Sequence, residues 1–141
     1  MIDRVPYGKL ASYPHMKPAD AVIWERFIEK YPDEYDEVIY DLNVGAGYAD
    51  LGDHPQEVQG DYRILTQKKI DVVAFKDDYV DIIEIKPDAS MSALGQAIGY
   101  VKLYLGYRDP KAEAYATVIT DRLKPDMAHL AAHLGVWVVV V

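Results

Sequence analysis

Asp71, Glu84 and Lys86 are the residues whose types and spacing could do chemistry. They lie in KIDVVAFKDDYVDIIEIKP, where two β-branched apolar runs are separated by Asp77-Asp78. If those two aspartates form a two-residue hairpin loop, Lys76 faces Tyr79 and Asp71 falls opposite Glu84. Opposed residues on an antiparallel pair have Cβ atoms roughly 4.5–5.5 Å apart. Two carboxylates at that spacing repel unless a cation lies between them, and hard oxygen donors suit Mg²⁺ or Mn²⁺. Strand side chains alternate, so Lys86 shares the face of Glu84. The competing reading is structural. The same arithmetic sets Lys69 opposite Lys86, so the four charges could close a salt-bridged ladder without a metal.

Those side chains need a scaffold. Pro18 to about Lys30 reads as a helix with the apolar stripe Ile23, Trp24, Phe27, Ile28 and Tyr31. Asp20 falls within that stripe and Glu25 on its flank, solvated or paired with Arg26 or Lys30. Glu37 to Val44 reads as a strand. Gly45 to Gly60 reads as a long loop carrying His54, and its Gly45-Ala46-Gly47 lacks the following helix that a dinucleotide fingerprint needs. Asp61 to Phe75 and Val80 to Lys86 give two more strands, the first long and bent or divided, and Pro87 stops the second. Ser90 or Ser92 is expected to cap a helix to about Leu105, with Gly106 just past its end. On that helix Leu94, Ile98, Val101 and Leu105 share one side. Gln96 and Tyr100 fall almost opposite, so either both sides are buried, against a second copy or the N-terminal arm, or Gln96 looks away from the acids. Ala112 to Thr120 is a strand and Asp126 to Leu134 a helix. The continuous apolar run Val136 to Val141 predicts a strand buried on both faces.

Bulk properties set limits. The 141 residues suit one domain, with residues 1–17 as an irregular N-terminal arm and 18–141 as the folded unit. There are no cysteines, so disulfides and thiolate metal sites are excluded, and a reducing cytosol is compatible. No apolar leader and no apolar run of about 20 residues is visible, so a soluble chain with no membrane role is expected. The formal net charge of −8 argues against tight, autonomous nucleic-acid binding. Arg63, Lys68, Lys69, Lys86 and Lys102 nevertheless gather around the central stretch.

Asp71, then Glu84-x-Lys86, then a helix bearing Gln96-x-x-x-Tyr100 resembles the PD-(D/E)XK nuclease superfamily, its RecB-like and Holliday-junction-resolvase-like branches in particular. The likeness covers roughly Pro18 to Val141, with Ile70 in place of the proline that often precedes the first acid. It implies an α/β fold, a restriction-endonuclease-like three-layer α/β/α core around a mixed sheet in the order α-β-β-β-α-β-α-β. It implies a Mg²⁺- or Mn²⁺-dependent deoxyribonuclease of DNA repair, recombination or phage genome processing, in the cytoplasm of a bacterial or phage-infected host cell. Asp71, Glu84 and the backbone carbonyl of Ile85 would hold metal, with a further first-helix acid, Asp20 rather than Glu25. Lys86 would stabilise developing charge, Gln96 would position water or phosphate, and Lys69 and Tyr100 would touch substrate. The partners implied are DNA, a protein that delivers it, and a second copy, since double-strand cleavage needs two sites. The alternative is an inert nuclease-fold module for binding or assembly.

Overall fold

The computed structural model describes residues 4–47 and 67–141. Among the described residues six strands form one sheet in sequence order: β1 (Val5–Pro6), β2 (Glu37–Val44), β3 (Lys68–Lys76), β4 (Tyr79–Ile85), β5 (Glu113–Thr120) and β6 (Val136–Val140). The helices among the described residues are α1 (Pro18–Lys30), α2 (Met91–Tyr107) and α3 (Pro125–Leu134). β1 to β4 pair antiparallel, whereas β4–β5 and β5–β6 pair parallel through the crossovers that contain α2 and α3. The sheet is therefore mixed. β4 is the strand where its character changes, with an antiparallel neighbour on one side and a parallel one on the other.

Helices cover both faces. Ile23, Trp24, Phe27 and Ile28 of α1 pack on Val38, Val72, Ala74, Ile83, Ile85 and Ile119. On the other face Ala93, Leu94 and Ala97 of α2, with Ala131 of α3, pack on Ala116, Val118 and Val136. Tyr104 closes a third cluster with Leu42, Val44, Ile70, Val73 and Ile82. The alternation within β4 follows from its period of two: Ile83 and Ile85 face α1, while Val80 and Ile82 face away from it. Trp24 is fully buried and donates its indole N–H to the Tyr40 hydroxyl over 2.9 Å. A buried indole needs that acceptor. Tyr40→Phe is expected to cost about 1–3 kcal/mol, the penalty of an orphaned buried donor. A Tm unchanged from wild type would remove the bond from the stability account.

Several expectations are corrected. The N-terminal arm is not wholly irregular: Val5 and Pro6 pair with Val38 and Glu37, and Tyr7 and Tyr13 tuck into the α1 cluster. Glu25 is not simply solvated, because the Tyr13 hydroxyl donates to it over 3.1 Å. Ser90 occupies the N-cap of α2 without a side-chain hydrogen bond, and the helix runs through Gly106 to Tyr107. The apolar run at β6 is not buried on both faces: β6 is an edge strand, with Trp137 68% exposed. The stretch 61–66 expected in the second strand, His54, Arg63 and most of the long loop lie outside the described residues. Gly135 does end α3 in the left-handed conformation (φ 70°), as a glycine after a helix should.

Candidate functional site

The β3–β4 hairpin carries the acids. Its register is Lys76↔Tyr79, Phe75↔Val80, Ala74↔Asp81, Val73↔Ile82 and Val72↔Ile83. This is the pairing a two-residue Asp77-Asp78 loop demands, and Asp77 takes the positive φ of 49° that such a turn requires. Asp71 and Glu84 are the next residues beyond the last ladder pair. The strands part there, and the Asp71 side chain occupies the gap by accepting the Ile85 N–H at Oδ2 over 2.9 Å.

A second break faces the first. The β2–β3 ladder runs from Glu37↔Phe75 to Val44↔Lys68 but omits the Asp41–Asp71 position. Asp41 has φ 55°, a left-handed conformation that a non-glycine residue adopts at a cost. The facing of the sheet changes at this point. Val38 and Val72 pack under α1, whereas Leu42 and Ile70, of the same parity on their strands, pack on the opposite face. Regular alternation would keep each pair on one side. The two aspartates thus sit where a twist in the sheet interrupts its backbone pairing.

Around this break lies a cavity of about 440 Å³ lined by Asp20, Asp41, Asp71, Glu84, Lys86 and Gln96, with residues 14–17 of the arm along its rim. Glu84 is only 8% exposed, and its Oε2 is buried without a hydrogen-bond partner. Burial, then the neighbouring Asp71 charge, raises the Glu84 carboxyl above the ordinary carboxylate range. Burial also raises Asp71, against the opposing pull of the Ile85 N–H, and the Asp20 charge adds to the rise. Asp20 is itself raised by burial and lowered by Lys17 and Lys86. The Tyr100 phenol is raised by burial and by the Glu84 and Asp71 charges, which places it within electrostatic reach of the pair. Such a cluster of perturbed acids in a cavity is a signature of a functional site.

The structure brings Asp20, Asp71, Glu84, Ile85, Lys86 and Gln96 to one cavity. Gln96 does not look away. α2 is buried on both flanks because it spans a wide sheet, with Ile98 and Val101 against the α3 side and Tyr100, Leu103 and Tyr104 against β2 and β3. Neither a second copy nor the arm is needed to cover it. Lys69 and Lys86 lie beyond the last pair of the β3–β4 ladder; on the other side of β3, Lys69 pairs with Asn43 of β2, and its Nζ lies 3.9 Å from Asp41. Among the described residues no ion pair within 4.0 Å joins Asp71, Glu84 or Lys86, so the four-charge ladder is not formed. Asp41 was not anticipated, nor was His15, whose Nε2 is 3.8 Å from the Asp41 carboxylate. The signal for Asp41 was present, since a strand neighbouring β3 in antiparallel register sets its one central acid opposite Asp71.

The donor set is two hard carboxylates, one with an oxygen buried and unbonded, and that chemistry fits a divalent cation. Among the described residues no group of three or more His, Cys, Asp or Glu is assembled for metal binding, so Asp20 and Asp41 line the cavity without completing such a cluster.

No protein-family model matches the sequence. No curated protein matches it either. Solved structures do. A repair endonuclease from Pyrococcus abyssi aligns over 93% of this chain and 49% of its own, with 16% identity and a TM-score of 0.54. Protein VC1899 from Vibrio cholerae aligns over 92% of this chain and 35% of its own, with 14% identity and a TM-score of 0.52. The fold is restriction-endonuclease-like. The chain spans about half or less of the length of these neighbours, and at such identities the likeness concerns the fold. No helix among the described residues is long and apolar enough to cross a membrane.

Proposed function

We propose that this chain is a metal-dependent deoxyribonuclease of the PD-(D/E)XK type, hydrolysing phosphodiester bonds in DNA repair, recombination or phage genome processing. The observation that carries the reading is the pair of half-buried Asp71 and buried Glu84 at the break in the sheet, with Lys86 and Gln96 on the same cavity. Asp71 and Glu84 would hold Mg²⁺ or Mn²⁺, with the Ile85 carbonyl as a further oxygen donor and Asp20 as an outlying acid. When bound, the cation would polarise the phosphodiester and acidify a water molecule.

The chain's own residues supply the rest. The Ile85 N–H fixes the Asp71 carboxylate, so its second oxygen is presented without rotation. Lys86 is exposed at the cavity, where its ammonium would meet the negative charge that builds on the phosphoryl oxygens. Gln96 has an amide that can both donate and accept, which suits it to orient water or a phosphate oxygen. Tyr100 sits behind the acids in the apolar cluster and would pack rather than react. Lys69, drawn to Asp41, would contribute positive charge beside the cavity.

The repair endonuclease among the structural neighbours supports the activity class. A net charge of −8 favours a partner protein that delivers DNA, and a cytoplasmic homodimer with two sites would serve double-strand cleavage. The absence of a three-acid cluster among the described residues favours the second reading, an inert nuclease-fold module that binds or assembles with a partner. Incubation of purified protein with supercoiled plasmid, in Mg²⁺, Mn²⁺ or EDTA, separates the two. Nicking or linearisation that requires the metal is expected. Intact plasmid, together with no metal effect on Tm, would leave only the binding module.

A further inference from the structure

The N-terminal arm meets the acid cavity at one tight turn. Tyr13-Pro14-His15-Met16 closes with the Met16 N–H on the Tyr13 carbonyl over 3.3 Å, and His15 has φ 54°. Proline followed by a left-handed residue makes a type II turn, whose second central position ordinarily takes glycine or asparagine. A histidine there holds a backbone conformation that a side chain disfavours. The turn is pinned on both sides. Tyr13 is buried, with its hydroxyl accepting the Leu10 N–H over 3.2 Å, and Met16 packs on the α1 cluster. His15 itself is 74% exposed and lines the cavity that holds Asp71 and Glu84.

His15 faces Asp41, which also has a left-handed backbone (φ 55°) and also lines the cavity. Asp41 Oδ2 lies 3.8 Å from His15 Nε2 and 3.9 Å from Lys69 Nζ. A turn in the arm and the broken point of β2 thus each carry a disfavoured backbone where their side chains meet at the cavity. Strain of this kind gathers where the placement of a side chain matters for function. A carboxylate behind a histidine fixes the orientation of the ring and stabilises its charged form, which is how a histidine is prepared to give up a proton.

We propose that His15 is the general acid of the reaction, donating a proton to the sugar oxygen that leaves phosphorus, with Asp41 as the positioning residue that orients its ring. The assignment rests on the nuclease reading. Lys86 and Gln96 serve the phosphoryl oxygens and the water in that reading, and neither serves the leaving oxygen. Water attacks phosphorus and loses a proton to solvent. The bond from phosphorus to the sugar oxygen breaks, and its electron pair stays on that oxygen. The proton of His15 Nδ1 neutralises it, Nε2 being turned to Asp41. The neutral ring then regains a proton from solvent, to which it is open.

A change of leaving atom isolates this role. The linkage that the wild-type chain cuts in a duplex oligonucleotide is mapped in Mn²⁺, and a second duplex carries sulfur in place of the leaving oxygen at that linkage. A thiolate departs without a proton and has no need of the acid. His15→Gln is expected to cut the oxygen linkage about 10²-fold more slowly than wild type, and the sulfur linkage within about threefold of it. Asp41→Asn keeps a residue that tolerates the left-handed backbone, and should show the same pattern at smaller size, in kcat rather than KM. His15→Gly should lose cleavage as His15→Gln does, with a Tm no lower than wild type because glycine suits the turn, and added imidazole should restore part of the rate. Cleavage of the oxygen linkage by His15→Gln at the wild-type rate would overturn the proposal and leave the metal site standing. Equal loss on both linkages would make His15 a phosphate contact and overturn it too. A wild-type chain that cuts no duplex in Mn²⁺ or Mg²⁺ would overturn the nuclease reading, and this assignment with it.

Discussion

Glu84→Ala is expected to lower metal-supported DNA cleavage by roughly 10³-fold or more, equivalent to about 4 kcal/mol of transition-state stabilisation. The size follows from what the substitution removes. Glu84 is one of two carboxylates at the break in the sheet, and its buried Oε2 has no protein partner to satisfy it. Without it, Asp71 would be the one carboxylate of the pair left for the cation, and one of its oxygens already accepts the Ile85 N–H. Lys86→Ala should cost about 10²–10³-fold, the range found when one donor to a developing oxyanion is lost. Lys86 is exposed, so its loss should leave Tm nearly unchanged. Steady-state plasmid nicking, with Tm as the control for folding, checks both. Cleavage by Glu84→Ala at the wild-type rate would remove the acid pair from the mechanism.

Glu84→Gln should raise the stability of the metal-free protein at pH 8 and leave it nearly unchanged at pH 4. Burial and the Asp71 charge push the Glu84 carboxyl up in the folded chain. The folded state therefore keeps a proton that the unfolded chain releases at the ordinary carboxylate value near 4.3. This stabilisation is fully present below that value and is lost as pH rises through the raised one. Each pH unit crossed in that window removes about 1.4 kcal/mol. A neutral amide has no such loss, and it can donate to the Asp71 carboxylate. For a domain of this size 1 kcal/mol corresponds to roughly 3–4 °C in Tm. The variant should thus melt several degrees above wild type at pH 8, and Mn²⁺ should stabilise wild type but not the variant. Identical melting curves at both pH values would mean that Glu84 reaches solvent freely.

Much of this was legible in the sequence because it depends on short-range chemistry. α1 begins at a proline and carries a 3.6-residue stripe, so both of its ends are readable. β2 is marked by its β-branched residues, and the hairpin by two aspartates between two apolar runs. Register then follows from counting, which is why the Asp71–Glu84 juxtaposition could be anticipated. What escaped depends on long-range placement. Nothing local says that Val-Trp-Val-Val-Val lies at an edge, since a run buried on two faces and a run at the edge of a sheet can have the same composition. The side of α2 that Gln96 occupies depends on how wide a sheet the helix spans. Asp41 required knowledge that β2 neighbours β3, and its positive φ belongs to the break in the sheet rather than to any turn residue.

The Asp77-Asp78 turn lies six residues from Asp71, roughly 20 Å along an extended strand. Loop tips are ordinarily where chains accept insertions and deletions with little consequence. This one is different. With the turn kept at Asp77-Asp78, a single residue added just before it would slide β3 against β4, turn its side chains to the opposite face and set Asp71 against Ile85. The length of this remote turn is therefore under the same constraint as the acids themselves. A lineage that kept every charged residue of the cavity could still lose its chemistry through one codon inserted at the far end of the hairpin.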